Sequence, residues 1–213
     1  MSIQAPVRKT VSAPDDAGAS SAVEEAAVQS TESRNPSLTY DGYPKPHLRG
    51  WIHACIAPLA VAACIVLTVL APGTALTWAC AAYLTSSLLL FANSGVYHIS
   101  SGRLSRRISV TLQSFDHSNI FLLIAGTYTP LSVALLPTST ARLVLGIVWA
   151  GAVGGIISCL AWAKAPRWLS TGLYVLLGWV AIWFLPTFWR AGGAATVLLI
   201  IAGGVIYTAA AVV

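Results

Sequence analysis

Carboxylates are what this sequence has least of. Its 213 residues include seven acids, and six of them (Asp15, Asp16, Glu24, Glu25, Glu32 and Asp41) fall in the first 41 positions. From Gly42 to Val213 the one acid is Asp116. Charged residues make up 9% of the chain, against about 25% in soluble globular domains. A stretch with so few charges cannot present an ordinary water-facing surface, so the chain reads as an integral membrane protein. The net charge of +5 does not point to nucleic acid, because the basic residues sit in short gaps between apolar runs. A CxxC pair is also absent. Cys55, Cys64, Cys80 and Cys159 are scattered through apolar stretches and read as small buried residues rather than a disulfide framework.

The first 46 residues are rich in Ala, Ser, Glu and Pro. They cannot bury enough apolar surface to offset ordering entropy, and read as a disordered cytoplasmic tail. They also lack the charged-then-apolar pattern of a signal peptide, so the first hydrophobic segment is retained as a span. Residues 47–213 form the membrane domain. A spanning helix needs about 20 residues, and the apolar runs predict six, over 51–71, 75–99, 112–136, 143–161, 169–188 and 193–213. The intervening breaks carry turn chemistry, namely Pro72-Gly73, Ser100-Ser101-Gly102, Pro137-Thr138-Ser139, Ala165-Pro166 and Ala191-Gly192-Gly193. The predicted fold is an all-α polytopic helix bundle.

Alternate loops differ in charge. Arg8, Lys9, Arg34, Lys45, Arg49, Arg103, Arg106, Arg107, Lys164 and Arg167 fall on one side, against Arg142 and Arg190 on the other. The positive-inside rule then makes the amino terminus cytoplasmic. The last run ends at Ala209-Ala210-Ala211-Val212-Val213 with no polar or basic flank, which reads as a fragment or a poorly anchored helix.

Polar groups inside spans are costly, so each is a functional candidate. The second helix carries Asn93-Ser94-Gly95-Val96-Tyr97-His98 near its cytoplasmic end, and Ser94 and His98 share a face at i and i+4. The third begins on the same side with Gln113-Ser114-Phe115-Asp116-His117-Ser118-Asn119. The topology therefore brings Ser94, His98 and Asp116 together, with His53 of the first helix on that side too. An imidazole can ligate Zn²⁺, a carboxylate can orient or deprotonate the metal's water, and a hydroxyl can bind that water or a carbonyl. Blander readings stand beside these. The histidines can snorkel, Asp116 can pair with Arg103, Arg106 or Arg107, and Ser94 can bond back to its own helix. In Gly126-Thr127-Tyr128-Thr129-Pro130, glycine permits close approach and proline kinks, a packing role more than a chemical one.

Ser94-x-x-x-His98, Asp116-His117-Ser118-Asn119-Ile120 and the run from Leu122 to Pro130 together resemble the hemolysin III family, the bacterial branch of the progestin and adipoQ (adiponectin) receptor superfamily. Arg49-Gly50-Trp51-Ile52-His53 looks like its actinobacterial members. The resemblance implies seven helices and a zinc ion near their cytoplasmic ends. It makes His98 a zinc ligand, with Ser94 one turn before it and Asp116 beside the metal-bound water. The family's remaining ligands come from an H-x-x-x-H motif in a seventh helix, which this sequence lacks, while Gly203-Gly204-Val205-Ile206-Tyr207-Thr208 looks like the sixth. The expectation is a truncated copy that binds zinc weakly or not at all, and although His53 and His117 lie on the same side, no family pattern uses them as substitute ligands. What the resemblance implies for activity is a zinc-dependent hydrolase of lipid amide or ester bonds in the cell membrane, with Asp116 and Ser94 catalytic. The alternatives are a pore-forming cytolysin and a non-catalytic lipid-homeostasis or sensor protein. A membrane lipid is the expected partner. The apolar first, fourth, fifth and sixth helices supply little of the polar stripe that a pore needs.

Overall fold

A computed structural model describes residues 47–100, 104–161 and 167–212. The tail expected to be disordered lies outside them, as do the loop cations Arg103 and Lys164. The described residues are helical almost throughout. In chain order the elements are α1 (His47–Leu70), α2 (Thr74–Ser100), α3 (Arg106–Leu135), α4 (Thr138–Ala161), α5 (Arg167–Gly178), a 3₁₀ segment (Trp179–Phe184) and α6 (Leu185–Val212).

Among the described residues five helical stretches are long and apolar enough to cross a membrane, and the last runs from Trp168 to Ala210 over 43 residues. At about 1.5 Å per residue it would reach about 65 Å, twice the hydrocarbon thickness. It does not run straight. Gly193 has φ 71° and ψ −173°, a backbone region that only glycine enters without strain. Trp179 Nε1 donates to Thr208 Oγ1 at 2.9 Å, and Gly178 faces the ring of Tyr207. Those partners lie about equally far on either side of Gly193, so the stretch is a hairpin of two legs and the bundle has six. The fifth and sixth runs were expected to break between 188 and 193. The helix continues past Phe188, and the reversal falls at Gly193, within the expected break Ala191-Gly192-Gly193. The α3 and α4 helices also start earlier than expected, at Arg106 and Thr138. Boundary residues at the water interface are cheap to wind into a helix, so hydropathy places them poorly.

The centre of the bundle is α3. Of its most apolar stretch 39% is buried within the protein, against 6% for α1. Phe121, Ile124, Ala125 and Tyr128 of α3 pack with Val144, Val148 and Ala152 of α4, with Tyr174 and Leu177 of α5, and with Phe188 and Val197 of α6. Close approach depends on small residues. A methyl on Gly126 would collide with the Ser86 side chain of α2, and one on Gly155 would enter the Phe121 ring. This bears out the packing role read from Gly126. Exposed Trp51 and Trp168 mark one end of the bundle and Trp78 the other, as interfacial aromatic belts require.

Hydrocarbon offers no hydrogen bonds, so most polar groups are satisfied inside the bundle, Ser132 Oγ and Tyr207 OH being the exceptions among the described residues. Thr68, Thr85, Thr111, Ser118, Thr129, Thr196 and Thr208 each donate to the carbonyl four residues back in their own helix. Tyr128 has a different task. Where α5 tightens into the 3₁₀ segment, the Tyr128 hydroxyl donates to Gly178 O at 2.7 Å and accepts from Ala181 N at 2.8 Å. One side chain thus services a backbone irregularity at membrane depth.

Two outcomes follow from this packing. Gly193→Ala should destabilise the detergent-solubilised protein by about 1–3 kcal/mol through backbone strain alone, because nothing lies within 4 Å of the added methyl. Gly203→Ala, equally open but helical, should be neutral, and thermal unfolding of the pair makes the comparison. Tyr128→Phe strands a carbonyl and an N–H together and should cost about 1–3 kcal/mol in the same measurement.

Candidate functional site

The α2 and α3 helices run antiparallel, and two asparagines hold their register beside the polar residues. Asn93 Nδ2 of α2 donates to Leu112 O of α3 at 3.2 Å, and Asn119 Nδ2 of α3 donates to Leu89 O of α2 at 3.2 Å. These bridges set the end of α2 against the start of α3. They bring His98 Nε2 within 3.9 Å of Asp116 Oδ2, with both side chains largely but not fully buried (13% and 18% exposed). Asp116 therefore finds an imidazole partner in His98, an alternative to the loop arginines considered from the sequence.

Ser94 does not bond back to its own helix. The residue is 2% exposed, and its hydroxyl meets His53 Nδ1 of α1 at 2.6 Å. The His53 ring stands edge-on to Phe91 at 5.9 Å and to His98 at 6.3 Å between centroids. Four residues from three helices thus share one end of the bundle: His53, Ser94, His98 and Asp116. His117 is not brought into this group. Its Nδ1 lies 2.8 Å from Gln113 O in its own helix, and its carbonyl accepts from Tyr174 OH of α5 at 3.1 Å. Tyr174 stacks on Phe121 with centroids 4.5 Å apart, which pins α5 against α3 next to Asp116.

Sequence reasoning placed Ser94, His98 and Asp116 together and left His53 as a secondary possibility. It gave no role to Asn93, Asn119 or Tyr174. An intramembrane amide is as costly to leave unpaired as the residues that were singled out, so Asn93 and Asn119 carried a usable signal. Tyr174 carried none, since its partner is a backbone carbonyl 57 positions away.

A catalytic zinc takes three protein ligands and a water. Among the described residues, no group of three or more His, Cys, Asp or Glu side chains is placed to hold a metal ion. His98 and Asp116 provide two donors, and His53 commits its Nδ1 to Ser94. The described residues alone do not fit the zinc that the resemblance implies. What they do offer is a carboxylate, two imidazoles and a hydroxyl in a poorly hydrated setting, the groups of acid–base chemistry. At the opposite end of the bundle, a cavity of about 460 Å³ lies among α1, α2 and α3, walled by Leu67, Leu76, Pro130 and Leu131. It is apolar and remote from the cluster, since Pro130 is about 21 Å along α3 from Asp116.

The haemolysin-III-related family model matches residues 42–213. The chain is similar to a hemolysin-3 homolog of Bacillus subtilis (strain 168), with 34% identity over 123 residues that cover 58% of this chain and 56% of that protein. It is also similar to hemolysin-3 of Bacillus cereus, with 32% identity over 164 residues covering 75% and 73%. The match thus spans just over half the length of the first relative and about three-quarters of the second. No solved structure matches the chain. The family match covers every described helix and the whole polar cluster, and the chain belongs to the haemolysin-III-related family of multi-pass membrane proteins.

Proposed function

We propose that the cluster at the His98 end is an acid–base centre that hydrolyses an amide or ester bond of a membrane lipid. The observation that carries this reading is the placement of Asp116, the one acid between Gly42 and Val213, 3.9 Å from the His98 imidazole. A carboxylate held at a span's edge at such desolvation cost has a use for its charge. In this reading water attacks the lipid carbonyl carbon and Asp116 takes the water's proton. The Ser94 hydroxyl donates to the carbonyl oxygen as it gains charge, and the departing amine or alcohol recovers the proton from Asp116. His98 holds and orients the carboxylate. Zinc remains part of the proposal only through the family resemblance, which assigns it to His98, and no step above is routed through it.

We also place the amino terminus on the cytoplasmic side of the cell membrane, which puts the cluster there as well. The asymmetry of ten Lys and Arg residues against two supports this.

The test is lipid turnover by the full chain in vesicles containing a ceramide as the amide and phosphatidylglycerol as the ester, with fatty acid release read by mass spectrometry. Asp116→Asn should lower release at least about 100-fold while leaving expression and membrane insertion intact, and retained release overturns the reading. Dye leakage from the same vesicles that survives both Asp116→Asn and His98→Ala would favour the cytolytic activity in the relatives' names. Zinc per chain, measured on the same preparations with His98→Ala as control, decides whether the metal belongs to the site. For orientation, Ser139→Cys in a background without the four native cysteines should react with an impermeant maleimide in intact cells. Ser105→Cys should react only after permeabilisation, and the reverse pattern inverts the topology.

A further inference from the structure

His53 is a feature of this cluster that the reading above leaves without a task. It stands on α1, a span little buried within the protein, yet its ring reaches across to the hydroxyl of Ser94 at 2.6 Å. Hydroxyls in spans usually satisfy themselves on the preceding turn, as eleven others do here. Ser94 departs from that habit, and among the described residues His53 is its hydrogen-bond partner.

The direction of that bond decides what Ser94 can do. A serine hydroxyl has one proton, and a neutral imidazole has one N–H and one lone pair. If Ser94 donates to Nδ1, its proton is spent and the hydroxyl can only accept. If Nδ1–H donates to Ser94 Oγ, the serine proton is left for another acceptor, and the incoming bond polarises the hydroxyl and strengthens it as a donor. A serine that must donate to a lipid carbonyl needs the second arrangement. The remaining nitrogen, Nε2, then carries a lone pair. His53 is only partly buried, so water can satisfy it.

We propose that His53 is a positioning residue that presents Nδ1–H to Ser94 and so reserves the serine proton for the carbonyl oxygen of the lipid substrate. The inference rests on the hydrolytic reading for its purpose, but the tautomer it requires can be observed without any turnover. Imidazole in water prefers the proton on the other nitrogen, so finding it on Nδ1 reports the bond to Ser94. The contact with Phe91 at 5.9 Å and the edge-on approach to His98 at 6.3 Å limit the ring's rotation, which keeps Nδ1 on the serine.

The experiment is nitrogen NMR of the full chain in detergent, labelled with ¹⁵N-histidine, at neutral to mildly alkaline pH. The His53 signals are assigned by their loss in His53→Asn. Nδ1 should be protonated in the wild type, and Ser94→Ala should shift the proton toward Nε2. An unprotonated Nδ1 in the wild type overturns the proposal. The second arm uses the ceramide and phosphatidylglycerol vesicles. His53→Asn keeps an N–H donor near the Nδ1 position and should retain most turnover. His53→Asp offers only acceptors, takes the serine proton, and should lose about 10- to 100-fold. Equal turnover in the two variants, both folded by thermal unfolding, also overturns it. Should no variant and no wild type release fatty acid, the hydrolytic reading fails and the NMR arm alone judges the hydrogen bond.

Discussion

Hydrocarbon cannot accept or donate a hydrogen bond, and the rest of this structure follows from that constraint. Every backbone group at membrane depth must be paired within the protein, so the described chain is helix almost from end to end. Where helix geometry changes at the passage from α5 into the 3₁₀ segment, Tyr128 of α3 supplies both a donor and an acceptor. Most threonines and serines along the spans turn back on their own carbonyls, Ser94 and Ser132 being exceptions. The chain reverses inside its last apolar stretch only at Gly193, whose backbone conformation other residues enter at a cost.

The same constraint explains why the polar residues gather. A lone carboxylate in a span is expensive, and Asp116 reduces that cost by lying at one end of α3 beside His98. Asn93 and Asn119 have amides that must be used, and using them across the α2–α3 pair fixes the register that sets His98 against Asp116. Ser94 and His53 extend the network to α1. Pairing requirements in one layer of the bundle thus assemble residues from three helices into a polar cluster of a carboxylate, two imidazoles and a hydroxyl.

Much of this was legible beforehand. The shortage of carboxylates identified the membrane protein, the apolar runs counted six crossings, and the loop charges put Ser94, His98 and Asp116 at one end. The family motifs around those residues were readable as well, and the family match bears them out. Less was legible where a partner is remote in sequence. The Ser94 hydroxyl had a plausible partner in its own helix, and nothing in the spacing revealed that it would choose His53, 41 positions away. The zinc expectation shows the same limit. One histidine can be assigned to a metal by motif, but whether three donors converge depends on how helices pack, and among the described residues they do not.

By itself the sequence determined the solvent of this protein, because composition and hydropathic run length report directly on transfer free energy and need no contacts to be known. It also determined which helix ends meet, since alternating spans leave no other topology. Tertiary structure decided the pairings. That Tyr128 repairs α5, that Tyr174 pins His117's carbonyl, and that His53 rather than His117 joins the cluster are outcomes of helix rotation and close approach. A few degrees of rotation about a helix axis exchange one partner for another, and no hydropathy pattern encodes that angle.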